Sequence, residues 1–363
     1  MKPQPLLSTL VLATLLSASP LQAQVELLIG TPKTEAVHEP FSVAFDPAGI
    51  LYGVEFTKAN RIFRWDGEGA VSFFAGRKHD STGADKMTKG KEVHDGSDPQ
   101  KALFNGMHDI QITSQGIAII ADSFHHRVRQ LDLKSGAVST LAGSGKRGFG
   151  GDGGPATEAQ FNITMTACLS PDEKRIYVAD IGNHRTRMVD LATGRVTTVA
   201  GNGKKGLPKD DTRALEANMG DTRAATQAND GTLYVLLRGG NALVAVKDGR
   251  VRTVVNASGK KGYSGDGGPA LEATLSGPKY VAMDPQGRVL IADAENHCIR
   301  RYDPESGTIS LVAGTPTQAT DEIGSTLLTT GLKRPHGVRI GPDGKIYICD
   351  TYNNRVLRAE YGE

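Results

Sequence analysis

The sequence predicts an all-β chain built from six copies of one four-stranded unit. Three observations predict it: a repeated segment, turn residues at regular intervals, and an outer-strand sequence at the N-terminus that has no unit of its own. The repeated segments are AFDPAGILYGVEFTKANRIFRWD (44–66), QITSQGIAIIADSFHHRVRQLD (111–132) and LSPDEKRIYVADIGNHRTRMVD (169–190). The others are QANDGTLYVLLRGGNALVAV (227–246), MDPQGRVLIADAENHCIRRYD (283–303) and IGPDGKIYICDTYNNRVLRAE (340–360). With Asn60, His125, Asn183, Asn241, Asn296 and Asn353 taken as equivalents, successive copies are 65, 58, 58, 55 and 57 residues apart. A strand-rich period of this size belongs to a ring or array whose units cannot bury their faces alone.

Each unit carries four strand signals. The first is an apolar pair before a turn, as in Val43-Ala44-Phe45 ahead of Asp46-Pro47-Ala48-Gly49. The second is Ile-Tyr-Val-Ala-Asp or a variant, and the third follows the Asn/His-Arg turn. The fourth reads Val-x-Thr-Val-Ala-Gly at 196–201, echoed at 138–143 and 251–255. Turns spaced about 8–12 residues apart between β-branched runs are the all-β pattern. Residues 25–32 copy the fourth strand at 309–316, yet no other strand of a unit precedes them. The last copy stops after its third strand, so Val25–Ile29 is expected to complete it and close a six-bladed β-propeller, which removes exposed edges.

Residues 1–23 read as a secretory signal peptide. Lys2 supplies the charge, Leu6 to Leu16 the apolar run and Leu21-Gln22-Ala23 the cleavage site, leaving 24–363 as a single propeller in the periplasm or medium. No Cys follows the cleavage site, which argues against a lipid anchor. The 42 basic and 40 acidic residues nearly cancel, so no field favours nucleic acid or a membrane surface. Cys168, Cys298 and Cys349 lie in strand-like segments with no metal spacing and read as buried thiols. The loops GDGGPATEAQF (151–161) and GDGGPALEATL (265–275) read as structural: a glycine turn, then a short helical turn begun by the proline. The long connection 77–103 reads as a solvated insertion or a lid, the former favoured.

In a closed ring the first strand of each unit lines the axis. Counting back from the turn after it gives one equivalent residue per unit: Phe41, His108, Met165, Arg223, Lys279 and His336. Folding needs no such variety, so symmetry is broken here for a purpose. Arg223 and Lys279 suit an anion, with Phe41 and Met165 as further ligand contacts. His108 and His336 suit proton transfer or a divalent metal, zinc or calcium, with Asp109 and Tyr280 as the remaining catalytic candidates. No Ser-His-Asp or Cys-x-x-Cys arrangement is present.

The Asp-x-x-Asn-His-Arg turns and the GDGGPA loops, spread over most of residues 25–360, resemble those of the bacterial NHL-repeat propellers. The resemblance implies a fold and little chemistry. It implies that Asp122/Arg127, Asp180/Arg185 and Asp350/Arg355 tie strands together; unit five has Cys298 in place of the Arg, and unit four reads Arg238-Gly239-Gly240. Met107–Ile110 and Pro335–Val338 also resemble segments of the peptidyl-hydroxyglycine amidating lyase propeller. That family holds an axial zinc with three histidines, of which His108 and His336 carry over here. The calcium-dependent lactonase and gluconolactonase propellers use axial Glu, Asn and Asp, which none of the six positions supplies. The expected function is therefore recognition of a polysaccharide, peptide or envelope partner by an exported monomer. The alternative is a metal-assisted lyase or hydrolase acting on an anionic substrate at the same place.

Overall fold

In the computed structural model, residues 24–30, 36–68, 70–78 and 94–362 are described; the expected leader and residues 79–93 of the long connection lie outside them. Strand content follows from the sequence period, and six sheets of four antiparallel strands result. Five of them run in chain order from the axis outwards. Their inner strands are Pro40–Phe45, Met107–Ile112, Thr164–Leu169, Thr222–Gln227 and Tyr280–Met283, and the sixth is Gly337–Ile340. Second strands such as Ile117–Asp122 and Leu51–Glu55 are buried along almost their whole length, because a neighbouring blade covers each face. The apolar clusters accordingly join adjacent blades: Tyr52, Val54 and Ile62 of blade one pack with Met107, Ile110 and Ile120 of blade two. The three cysteines are free and buried, and burial pushes the Cys168 thiol up to about 11. They are inert.

The ring closes as expected. Glu26–Ile29 pairs antiparallel with Arg355–Ala359, with Glu26 opposite Arg358 and Leu27 opposite Leu357. Arg358 grips the Glu26 carboxylate through two nitrogens at 2.9 and 2.7 Å. Val25 and Ile29 are buried against blade six and blade one. Deleting residues 24–31 should cost on the order of 4 kcal/mol, the transfer energy of two aliphatic side chains, and should bare a strand edge. Thermal unfolding with light scattering checks this; a truncated chain that melts like the intact one would contradict the closure.

Six clips hold the blades in register, and they revise the equivalences read from the sequence. A residue with left-handed φ ends the turn between second and third strands in every blade: Asn60, His126, His184, Asn241, His297 and Asn354. The side chain of each accepts an N–H from the next blade: Gly106, Ile163, Asp221, Gly277, Arg334 and, across the closure, Glu39. The true equivalents thus match Asn60 and Asn241 with the histidine of the Asn-His pair, one place later than the sequence alignment put it. Asn and His suit this position because they tolerate φ near +55° while offering an acceptor.

The expected Asp–Arg ties also shift. Arg355 does reach Asp350, at 2.7 Å. Arg127 and Arg185, however, bond to turn carbonyls, His125 and Ser144 for one, Asn183 and Asn202 for the other. The carboxylates are met instead by the arginine two residues on: Arg129 with Asp122 at 3.1 Å, Arg187 with Asp180 at 3.6 Å, and Arg300 with Asp293 at 3.8 Å. Unit five therefore keeps its ion pair despite Cys298. The same arginines reach Asp95, Asp152 and Asp266, which gives the GDGGP loops their structural task. Asp95 reveals residues 94–102 as a drifted third copy of that loop, complete with the turn Pro99–Lys101. In the loop at 151–161 the first glycine of the Asp-Gly-Gly run has positive φ and the second does not, and Pro155 precedes the helical turn as its cap. Blade four replaces the ion pair with Leu237 and Val244, both buried.

Candidate functional site

The six counted-back residues occupy equivalent places, each two residues beyond a clipped N–H. In blades one to four the pairing slips around Phe41, His108, Met165 and Arg223, a β-bulge in each inner strand. In blades five and six Lys279 and His336 donate their N–H to Ala292 and Cys349, which already pair with Tyr280 and Gly337. Bulges re-aim side chains and end pairing, so one strand start per blade is turned to the channel mouth.

The mouth divides into two halves. On one side Phe41 stacks on Phe56 with ring centres 4.2 Å apart, and the His336 ring lies 4.1 Å from Phe41. His108 stands edge-on to Phe41 and Phe56, and Phe124 flanks it. Both histidines point Nδ1 at the carbonyl two residues back, Gly106 and Arg334, each at 2.8 Å. An Nδ1–H donating to a carbonyl leaves Nε2 as the acceptor nitrogen. Burial and the nearby cations push both rings well below the usual imidazole range, so they are neutral at pH 7.

Arg223 and Lys279 form the other side, 4 % and 8 % exposed. Among the described residues neither makes an ion pair. Arg223 leaves its Nε without a partner and donates from Nη1 to the Met165 sulfur. Burial, then Arg238, pushes Arg223 down to about 9; burial, then Arg223 and Arg238, pushes Lys279 down to about 6. Glu295 lies near, but Lys261, Arg334 and Arg238 already engage it at 3.0, 2.8 and 3.7 Å. Arg238 comes from the turn of blade four where the repeat motif is lost, and its Nε is also buried without a partner.

Asp109 and Tyr280 sit deeper. Asp109 accepts from Ser42 at 2.9 Å, Tyr280 at 2.8 Å and the Ala167 N–H at 3.1 Å. Gln111 and Arg339 donate to the Tyr280 hydroxyl at 3.1 and 3.2 Å. Five blades thus contribute to a polar plug across the axis, in which burial raises the Asp109 pKa against the opposing pull of Arg339. The Ser123 hydroxyl also lies 2.8 Å from Nδ1 of His108, the nitrogen that meets Gly106, and Asp109 is placed with Tyr280 and apart from the histidines. Counting found the mouth but missed Phe56, Phe124, Ser42 and Arg339. Arg339 carried a signal, a cation at an inward position of a first strand.

The expected metal set does not fit. Among the described residues no three His, Cys, Asp or Glu side chains group as ligands. Phe41 packs against both histidine rings, Asp109 belongs to the plug, and Arg223, joined by Lys279 when that is protonated, opposes a further positive charge. A cleft of about 760 Å³ opens elsewhere between blades three and four, lined by Tyr177, Leu233 and Val246. Its charged residues are solvent-exposed, whereas the mouth holds buried ones, so charge rather than volume makes the mouth the candidate.

The sequence pattern of the NHL repeat matches residues 275–302 and 332–358. With six blades closed by the N-terminal strand, the chain is a six-bladed β-propeller that carries NHL repeats. It is 27 % identical over 257 residues to suppressor of quenching 1, a chloroplastic protein of Arabidopsis thaliana, covering 66 % of this chain and 24 % of that one. It is 26 % identical over 286 residues to NHL repeat-containing protein 2 of Bos taurus, covering 70 % and 39 %. The chain thus spans well under half of these relatives. A solved auxiliary nutrient binding protein from Bacteroides thetaiotaomicron shares the fold, with a TM-score of 0.63 at 15 % identity over 94 % of this chain and 77 % of that one. No helix among the described residues is long and apolar enough to cross a membrane.

Proposed function

We propose that this protein is an exported recognition propeller that binds a ligand at the bulge-ringed mouth. The observation that carries the reading is the adjacent pair Arg223 and Lys279, two basic side chains buried with no ion pair among the described residues. Keeping such a buried base ionised is costly, and an incoming anion is what offsets that cost. The likeness in fold to a nutrient binding protein agrees with a binding role, and Lys2 to Ala23 with export to the periplasm or medium. The test is capture: immobilised protein is exposed to a cell-envelope extract, and retained species are read by mass spectrometry. At least one species should be held by the native chain and lost, by 100-fold or more, from the Arg223→Ala, Lys279→Ala variant. Equal retention by both would place recognition elsewhere.

One observation favours a second reading, a lyase or hydrolase: both histidines are neutral and locked with Nε2 as acceptor beside a pair of cations. In that case Arg223 and Lys279 hold the acid group while His336 or His108 takes a proton. Unchanged turnover of any substrate found in a His108→Ala, His336→Ala variant would end it.

A further inference from the structure

We propose that the ligand is an amphipathic carboxylate, whose acid group lies between Arg223 and Lys279 and whose flat apolar body lies over the aromatic half of the mouth. This rests on the mouth being the binding site, and it adds the chemistry of what is bound.

The two halves of the mouth are joined without a gap. Phe56, His108 and Phe124 lead to Phe41, Phe41 touches His336, and His336 feels the charges of Arg223 and Lys279. Phe56 and Phe124 remain partly exposed above the buried ring, as does Met165 beside Arg223. A bare anion would gain nothing from these faces, and a purely apolar ligand would bury the cations still further. Three other cations nearby are already held by Glu295, which leaves two for one acid group. Arg offers a planar fork suited to a carboxylate, and Lys a point charge beside it.

Binding is coupled to a proton. Lys279 is faced by Arg223 and Arg238 from blade four, Glu295 from its own blade, Arg334 and His336 from blade six, and His108 from blade two. Burial first, and then these cations, lower Lys279 to about 6, so the empty mouth holds it as a neutral amine at pH 7.5, and the arriving carboxylate restores its proton. Affinity should therefore rise as pH falls towards 6.

Calorimetry on the mature chain tests this with four probes: phenylacetate, acetate, inorganic phosphate and the neutral phenylacetamide. Phenylacetate should bind at least 10-fold tighter than acetate or phosphate and 100-fold tighter than the amide. It should weaken about 100-fold from pH 6 to pH 8.5, with close to one proton taken up per ligand at the higher pH. Arg223→Met and Lys279→Met should each lose 30-fold or more, with circular dichroism confirming the fold. Phosphate binding tighter than phenylacetate would overturn the carboxylate assignment. An amide as tight as the acid would overturn the anion and leave the mouth a binding site. Phenylacetate binding unchanged in Arg223→Met would place it away from the mouth. Silence from all four probes would overturn this proposal, while the extract capture judges the mouth itself.

Discussion

Arg187→Met is expected to destabilise the protein by about 3–5 kcal/mol, and Arg185→Met by about 1 kcal/mol or less. The two arginines open the same strand, and sequence resemblance singled out Arg185. Arg187 is fully buried and bonds to Asp152 and to the carbonyls of Gln160 and Gly150, with Asp180 at 3.6 Å. Losing it strands a buried carboxylate whose pKa burial has already raised to about 6. Arg185 is only half-buried, stacks 3.9 Å over Phe149 and serves two turn carbonyls that water can serve instead. Urea denaturation of the two variants checks the order. Equal losses would mean that the inter-blade arginine has been misassigned.

The Arg223→Met, Lys279→Met variant should be more stable than the native chain, by about 1–4 kcal/mol. Replacing these buried bases with apolar groups of similar volume removes a desolvation cost that Asp109 and Glu295, both engaged elsewhere, offset only in part. Blade four shows the exchange at a neighbouring place, where Leu237 and Val244 stand in for the ion pair and pack tightly. The pH dependence has a definite sign. Lys279 titrates near 6 when folded and near 10.5 when unfolded, so the unfolded chain binds more protons between those values. Native stability then rises with pH across that window, and the gain from Lys279→Met is largest near pH 6 and fades towards pH 10. Melting curves at pH 6, 8 and 10 give the comparison. A loss of stability at pH 6 would show that these side chains belong to the scaffold.

Much of this was legible in the sequence because strands and tight turns write a period into it. The blade count, the closing strand and the six mouth positions all follow from counting between turns. What escaped were matters of a single residue. A bulge at His108 separates the directions of His108 and Asp109, and no residue type announces it, so counting alone does not show that Asp109 faces Tyr280 and not the histidines. Arg127 and Arg129 share one face of a strand, and spacing alone does not say which reaches Asp122. The turns of blades one and four resemble the others with a one-residue offset, and the common role became visible in the clip each makes. The three-histidine zinc set was borrowed from another propeller, and here an arginine and a lysine stand among the mouth positions.

The most direct measurement is the charge on Lys279 itself. With lysine labelled at Cε and Nζ, magnetic resonance should show a neutral amine at pH 7.5 that gains its proton only as pH falls through about 6. Phenylacetate should return it to an ammonium without any change of pH. A Lys279 that stays an ammonium up to pH 9 in the empty protein would contradict the account, because its charge would already be met and no place for an anion would remain.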